Sequence, residues 1–230
     1  STEKYRLEHR NTGTIYVFWG FSPSITNQTW CGKLSEVTTR SFQTDGKSGN
    51  TYGRNANGDL TTVATSQGLY VVYSYNTGAE AGKIHQIELA SYVGLQWTVL
   101  EKAEYLYYGE ATSPDNAIGS TGDLVQVKLS KLTSDGSTYS VRYIQYRYYR
   151  DQDSDGSAHQ LKAVYDSGAV ERILADTFTG ISTPEDILKY SDSYSTGGSD
   201  SIEAFATQVM TYYTSDLDTS QNVTTPWGTQ

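Results

Sequence analysis

The sequence predicts a mainly β protein of antiparallel sheets, propeller-like or closed as a barrel or sandwich, with one or two C-terminal helices. Three observations carry this. The chain holds 20 Tyr against 5 Phe and 4 Trp in 230 residues, and a flat ring with a hydroxyl suits half-wet pleated surfaces. Period-two runs bounded by Gly, Asn, Asp and Ser fill the first three quarters. Helical spacing enters only after Thr183, so one β-rich domain over 1–230 is expected, with helices at about 183–214 and an irregular tail over 216–230.

The elements follow in chain order. Thr14 to Phe21 is β-branched and aromatic, and Pro23 ends it by removing a ladder donor. Thr44 to Asp59, with Gly46, Gly49, Gly53 and Gly58, reads as a long exposed loop. Leu69 to Tyr75, Ile84 to Leu89, Gln96 to Leu100 and Ala103 to Tyr108 are strand candidates. Asp123 to Leu129 alternates Val125, Val127 and Leu129 with Gln126 and Lys128, as a half-buried strand does. The turn Ser134-Asp135-Gly136-Ser137 joins it to the longest run, Tyr139 to Arg150, because Asp-Gly between alternating runs is a hairpin signal.

On that run Arg142, Ile144, Tyr146, Tyr148 and Arg150 share one side, and Val141, Tyr143, Gln145, Arg147 and Tyr149 the other. Gln160 to Tyr165 is the next strand. Thr183-Pro184-Glu185-Asp186 opens a helix, with Thr at the cap, Pro at the first position and acids facing the positive end of the dipole. Asp200 is expected to cap a second, with Glu203 completing a capping box and Ile202, Phe205, Ala206, Val209, Met210 and Tyr213 forming its core stripe. Pro226 stops anything regular beyond it.

Composition narrows the partners. A formal charge of −9 repels a phosphate backbone, and only Arg142, Arg147 and Arg150 gather locally, so nucleic acid is disfavoured. No apolar run approaches the roughly 20 residues that span a bilayer, and the start at Ser1 lacks a signal-peptide pattern, as after its removal. A lone Cys31 excludes an intrachain disulfide framework. Asn27 and Asn222 head glycosylation sequons, at a number that chance in a Ser/Thr-rich chain also provides. The Ser, Thr, Gly and Tyr excess with few Lys and one Met predicts a secreted or cell-wall protein.

One motif points to a metal. In Asp151-Gln152-Asp153-Ser154-Asp155-Gly156-Ser157 alternate carboxylates can converge on a hard cation, and glycine permits the turn that adds a carbonyl. Ca²⁺ held by Asp151, Asp153, Asp155 and Ser157 is one reading; a solvated acidic hairpin tip is the other. An EF-hand is excluded, since its ninth and twelfth positions are His159 and Lys162. No phosphate loop, G-x-S-x-G elbow or H-E-x-x-H occurs; Gly46-Lys47-Ser48 has Ser41 where the first Gly belongs. His9, His85 and His159 each stand alone on β-like segments, and such a His is more often structural than catalytic.

The expected ligand site is a wall of Trp97, Tyr105, Tyr107, Tyr143, Tyr146 and Tyr148, with Arg142 or Arg147 as polar anchor. The competing reading assigns the same Tyr excess to sheet packing. Leu60 to Ala103, with Thr61-Thr62-Val63-Ala64, Leu69 to Tyr73, Ile84 to Glu88, Trp97 and Leu100, resembles the repeats of fungal fucose-specific lectins, which are β-propellers. Thr14 to Trp30 and Val141 to Tyr165 echo it. The resemblance implies sugar binding, although the family's sugar-binding Arg is missing from Tyr70-Val71-Val72-Tyr73 and only Arg142 beside Tyr143 could stand for it. The functional expectation is a non-catalytic protein holding a ring-shaped ligand, a glycan first and a planar aromatic pigment or metabolite second. A glycosidase-like hydrolase, with Glu101 paired to Glu104 or Glu88, is the third.

Overall fold

The computed structural model describes residues 4–21, 28–39, 49–78, 81–93, 96–109, 118–150, 153, 155–196, 200–212, 224–225 and 228–229. Twelve antiparallel strands follow each other in chain order through one open sheet, which is where the sequence had left propeller, barrel and sandwich undecided. They are β1 (Lys4–His9), β2 (Thr14–Trp19), β3 (Leu34–Thr39), β4 (Gly49–Arg54), β5 (Leu60–Thr65) and β6 (Leu69–Tyr75). Next come β7 (Ile84–Val93), β8 (Gln96–Tyr107), β9 (Leu124–Leu132), β10 (Tyr139–Tyr148), β11 (Leu161–Tyr165) and β12 (Gln208–Val209). A two-stranded ladder, β13 (Thr224–Thr225) with β14 (Gly228–Thr229), lies within the expected irregular tail. Contacts divide the chain into two compact units, 1–75 with 84–102 and 131–139, and 76–83 with 103–130 and 140–230.

In the first unit, residues paired directly across strands share a face. Leu7 faces Tyr16, Tyr16 faces Val37, and further along Tyr52 faces Val63, Val71 and then Leu89, which gives one face an apolar row. Side chains of β4, β5 and β6 are nearly all half-buried on both faces. Strand β4 occupies what reads in sequence as a loop. Its glycines are contact points: a Cβ on Gly53 would run into Thr62 Oγ1, and one on Gly49 would sit 3.0 Å from the Val37 carbonyl. Close approach between β3 and β5 thus overrides a composition that disfavours strand.

The second unit contains both buried clusters found among the described residues. The larger joins Ala163 and Tyr165 of β11 to Ala169, Val170 and Ile173 of a helix, Ser167–Ala175, and to Phe178, Ile181, Ile187 and Ile202. That helix begins well before the expected Thr183 start. Asp166 caps it by accepting from the Ala169 amide at 2.9 Å, and the spacing of Ala169, Val170 and Ile173 turns one face to the core. The next helix, Pro184–Ile187, has the expected Thr183 cap and first-position Pro184, and Asp186 completes a capping box that the sequence reading had placed at Asp200 and Glu203 instead.

The expected second helix is replaced by a 3₁₀ turn, Ile202–Phe205, whose cap is Ser201 rather than Asp200. With three residues per turn Ile202 and Phe205 still align on the core, and the chain then extends to pair Val209 with Ala163 in β12. Tyr213, the last residue of the expected stripe, lies outside the described residues.

Candidate functional site

The two sides of β10 have different fates. Gln145 Nε2 donates to Gln126 Oε1 at 2.9 Å and to the Pro184 carbonyl at 2.7 Å. Arg147, 0% exposed, donates to the carbonyls of Tyr190 at 2.7 Å and Ile187 at 3.2 Å, and pairs with Asp192 at 3.1 Å. Its guanidinium lies 5.1 Å from the Tyr165 ring centre. Tyr143 packs against the larger core cluster, with the Lys128 ammonium 5.8 Å from its ring. This side of β10 therefore binds the helical layer, and Arg147 and Tyr143 serve that junction. Arg147 donates to the carbonyl ends of Pro184–Ile187 and its following turn, which as helix C-terminal carbonyls need a donor.

Arg142, Ile144, Tyr146 and Tyr148 alternate onto the other side. Burial, and then the neighbouring Tyr105 phenol, raises the Tyr146 pKa above the usual tyrosine value. Burial, and then Asp123, Tyr146 and Tyr107, pushes Tyr148 up to about 12. Tyr146 thus lies within electrostatic reach of Tyr105, and Tyr148 of Tyr146 and Tyr107. Tyr148 packs beside the small buried cluster of Tyr108, Ile118, Val125 and Leu188.

Charged groups border this tyrosine group at one end. Lys83 Nζ lies 5.0 Å from the Tyr107 ring centre and donates to the Gly122 carbonyl at 2.6 Å. Asp123, nearly buried, accepts from the Ser120 amide through Oδ2 at 2.8 Å and from His159 Nδ1 through Oδ1 at 2.8 Å. A carboxylate only accepts, so in this pair Nδ1 is the donor and Nε2 is the ring nitrogen not engaged with Asp123. The His159 side chain is 61% exposed. Its backbone φ is +68°, a left-handed conformation rare outside glycine, and its amide donates to the Tyr149 carbonyl at 3.2 Å. Sequence reasoning passed over His159. Only spatial pairing with Asp123, 36 residues away, distinguishes it.

The remaining expected residues lie elsewhere. Trp97 belongs to the first unit, edge-on to Tyr70 at 4.5 Å and tilted against Tyr92 at 4.9 Å. Asp153 accepts from the Arg150 amide at 2.8 Å, and the Asp155 carbonyl accepts from the Tyr212 amide at 2.9 Å. Ser157 is exposed, its amide donating to Gln160 Oε1 at 2.8 Å. Asp151, Asn27 and Asn222 lie outside the described residues. Among the described residues no three His, Cys, Asp or Glu side chains gather as metal ligands. Gly156 has a packing reason of its own: a Cβ there would strike the buried Tyr149 ring. Among the described residues no helix is long and apolar enough to cross a membrane.

No protein-family model matches the chain, and no curated protein matches it. Among solved structures it is similar to a DUF3836 family protein from Parabacteroides distasonis, with 19% identity over 43% of this chain and 78% of that one, at a TM-score of 0.22.

Proposed function

We propose that this chain is a non-catalytic binding protein that holds a glycan against Tyr105, Tyr107, Tyr146 and Tyr148. The observation that supports this reading is the mutual electrostatic reach of these tyrosines, Tyr105 with Tyr146 and Tyr107 with Tyr148, bordered by the Asp123–His159 pair. Tyrosine rings offer flat apolar faces to sugar C–H groups, and their hydroxyls and an oriented imidazole supply the hydrogen bonds that sugar hydroxyls require. Lys83 at one end and Arg142 further along β10 add positive charge, which favours a glycan bearing carboxylates.

The test is a glycan panel, neutral and acidic, read by calorimetry. Tyr146→Ala and Tyr148→Ala are each expected to weaken the best binder by about two- to tenfold, given roughly 0.5 to 1.5 kcal/mol for one aromatic contact beyond its area. Binding by no member of the panel, or equal affinity in both variants, would overturn the proposal.

A further inference from the structure

The connection from β10 to β11 ends in a bulge. Tyr149 faces two residues there rather than one: its amide donates to the Gln160 carbonyl at 2.8 Å, and its carbonyl accepts from the His159 amide at 3.2 Å. The first residue of a bulge with a left-handed backbone is normally glycine, because a Cβ in that conformation is strained. Histidine stands here instead, at φ +68°, and among the described residues it alone takes a positive φ without being glycine. Such strain persists where the surroundings hold it, and bulges beside functional sites serve to aim a side chain.

The aimed ring is held by one nitrogen. Nδ1 donates to Asp123 Oδ1 at 2.8 Å. Asp123, 8% exposed, is itself fixed: Oδ2 accepts from the Ser120 amide at 2.8 Å, its own amide donates to the Ser120 carbonyl at 3.0 Å, and its carbonyl accepts from the Tyr108 amide at 2.9 Å. With the hydrogen on Nδ1, Nε2 of the neutral ring carries a bare lone pair and can only accept. Most of the His159 side chain is open to solvent, and among the described residues its ring makes no second hydrogen bond.

We infer that His159 is the specificity-determining residue of the proposed glycan site: its Nε2 accepts the hydrogen of one sugar hydroxyl, which the ligand must bring unmodified. Asp123 is the positioning residue that keeps the ring hydrogen on the other nitrogen. The inference rests on the glycan reading above, and Asp123 lies within electrostatic reach of Tyr148. The choice of ligand group follows from donors and acceptors. Tyrosine hydroxyls turn to suit either kind of partner, and Lys83 and Arg142 only donate, so these groups hold a hydroxyl, an ether or a carboxylate alike. A lone pair admits only a donor. An ether or ester oxygen set against Nε2 meets lone pair with lone pair, so a methylated or acylated sugar is disfavoured at the position where the free hydroxyl is held. A carboxylate-backed imidazole also suits a metal ion, yet among the described residues no three His, Cys, Asp or Glu side chains gather to complete such a set.

The tautomer is read first, from imidazole ¹⁵N shifts of the 230-residue chain, which has three histidines. His159 is expected to carry its hydrogen on Nδ1, and Asp123→Ala to move it to Nε2, the nitrogen that a free histidine side chain favours. A hydrogen on His159 Nε2 in the parent chain would overturn the inference. Calorimetry then compares the best glycan of the panel with derivatives in which each hydroxyl in turn is replaced by hydrogen or by a methoxy group. Both derivatives at one position are expected to bind about two- to tenfold more weakly, the worth of one hydrogen bond whose acceptor water can reoccupy. His159→Gly is expected to weaken the unmodified sugar by the same factor and to abolish the deoxy penalty at that position alone. Its urea midpoint should hold or rise, because glycine suits the bulge. A midpoint that falls, with losses equal for every derivative, assigns His159 to structure and sinks the inference. Selection of no hydroxyl, or the same selection without His159, sinks it too and leaves the glycan reading standing, whereas binding by no glycan at all removes both.

Discussion

Arg147 shows how one side chain can be misjudged from its neighbours in sequence. Among so many tyrosines it looks like a ligand anchor, yet it is buried against Tyr165 and holds two carbonyls and Asp192. Removing one partner from a buried pair costs roughly 3 to 5 kcal/mol, and Lys162, 2.9 Å from Asp192, absorbs part of that. Arg147→Ala is therefore expected to lower stability by about 3 kcal/mol in urea titrations, whereas Arg142→Ala, on an exposed position, leaves the midpoint in place. Tyr148 makes a second prediction. Its pKa is about 12 in the fold and about 10 in an unfolded chain, so between those pH values the unfolded state has lost a proton that the folded state keeps. Its contribution to stability is complete below pH about 10 and is lost as pH rises toward about 12. Unfolding midpoints measured across that window should fall, and Tyr148→Phe should make the fall shallower, with Tyr108 and Tyr165, also raised by burial, supplying the rest.

At the scale of elements, alternation and turn chemistry were legible wherever the local sequence decides the outcome. The Asp135-Gly136 tip is one case: Asp135 Oδ1 accepts from the amides of Ser137 at 2.9 Å and Thr138 at 3.2 Å, as the turn residues predict. The Thr183 cap with Pro184 at the first helical position is another. Elements decided by distant partners were not legible. Strand β4 exists because Thr-rich β5 accepts its glycines, and the end of the chain extends at Gln208 because β11 offers an edge. The helix Ser167–Ala175 was within reach, since Asp166 before an Ala169, Val170, Ile173 face is a start signal, but Gly168 and β-branched residues weaken it locally. Asp166→Ala is expected to cost about 1 kcal/mol by chemical denaturation, the usual loss for an N-cap. The Ala169 amide, above all, holds the Asp166 carboxyl below its ordinary pKa. That stabilisation is present above the unfolded carboxylate value, disappears as pH falls through the folded one, and should be missing from the acid limb of the variant.

For the whole molecule, the sequence conveyed class and composition but not which aromatics meet. Tyr146 and Tyr148 were assigned to one side of their strand by simple alternation, whereas their union with Tyr105, Tyr107 and the Asp123–His159 pair depends on strand neighbours that no local pattern encodes. The distribution of burial is equally non-local. The clusters around Ile173 and Val125 both lie in the second unit, while strands β4 to β6 of the first are half-buried at nearly every position. Opening free energy follows buried apolar contact, so hydrogen exchange is expected to be slowest at Ala163, Tyr165 and Val170 to Ile173 and faster by orders of magnitude in β4 to β6. Uniform protection across both would contradict it.

The strict agreement between strand order and chain order has a consequence for synthesis. Each strand from β2 to β12 pairs with the one made just before it, so a nascent chain leaving the ribosome adds each new strand to an edge already present. The same rule makes length adjustable in steps of two strands: a hairpin gained or lost in a gene preserves the direction and facing of everything after it. A sheet of this kind can grow by duplication without relearning how to fold.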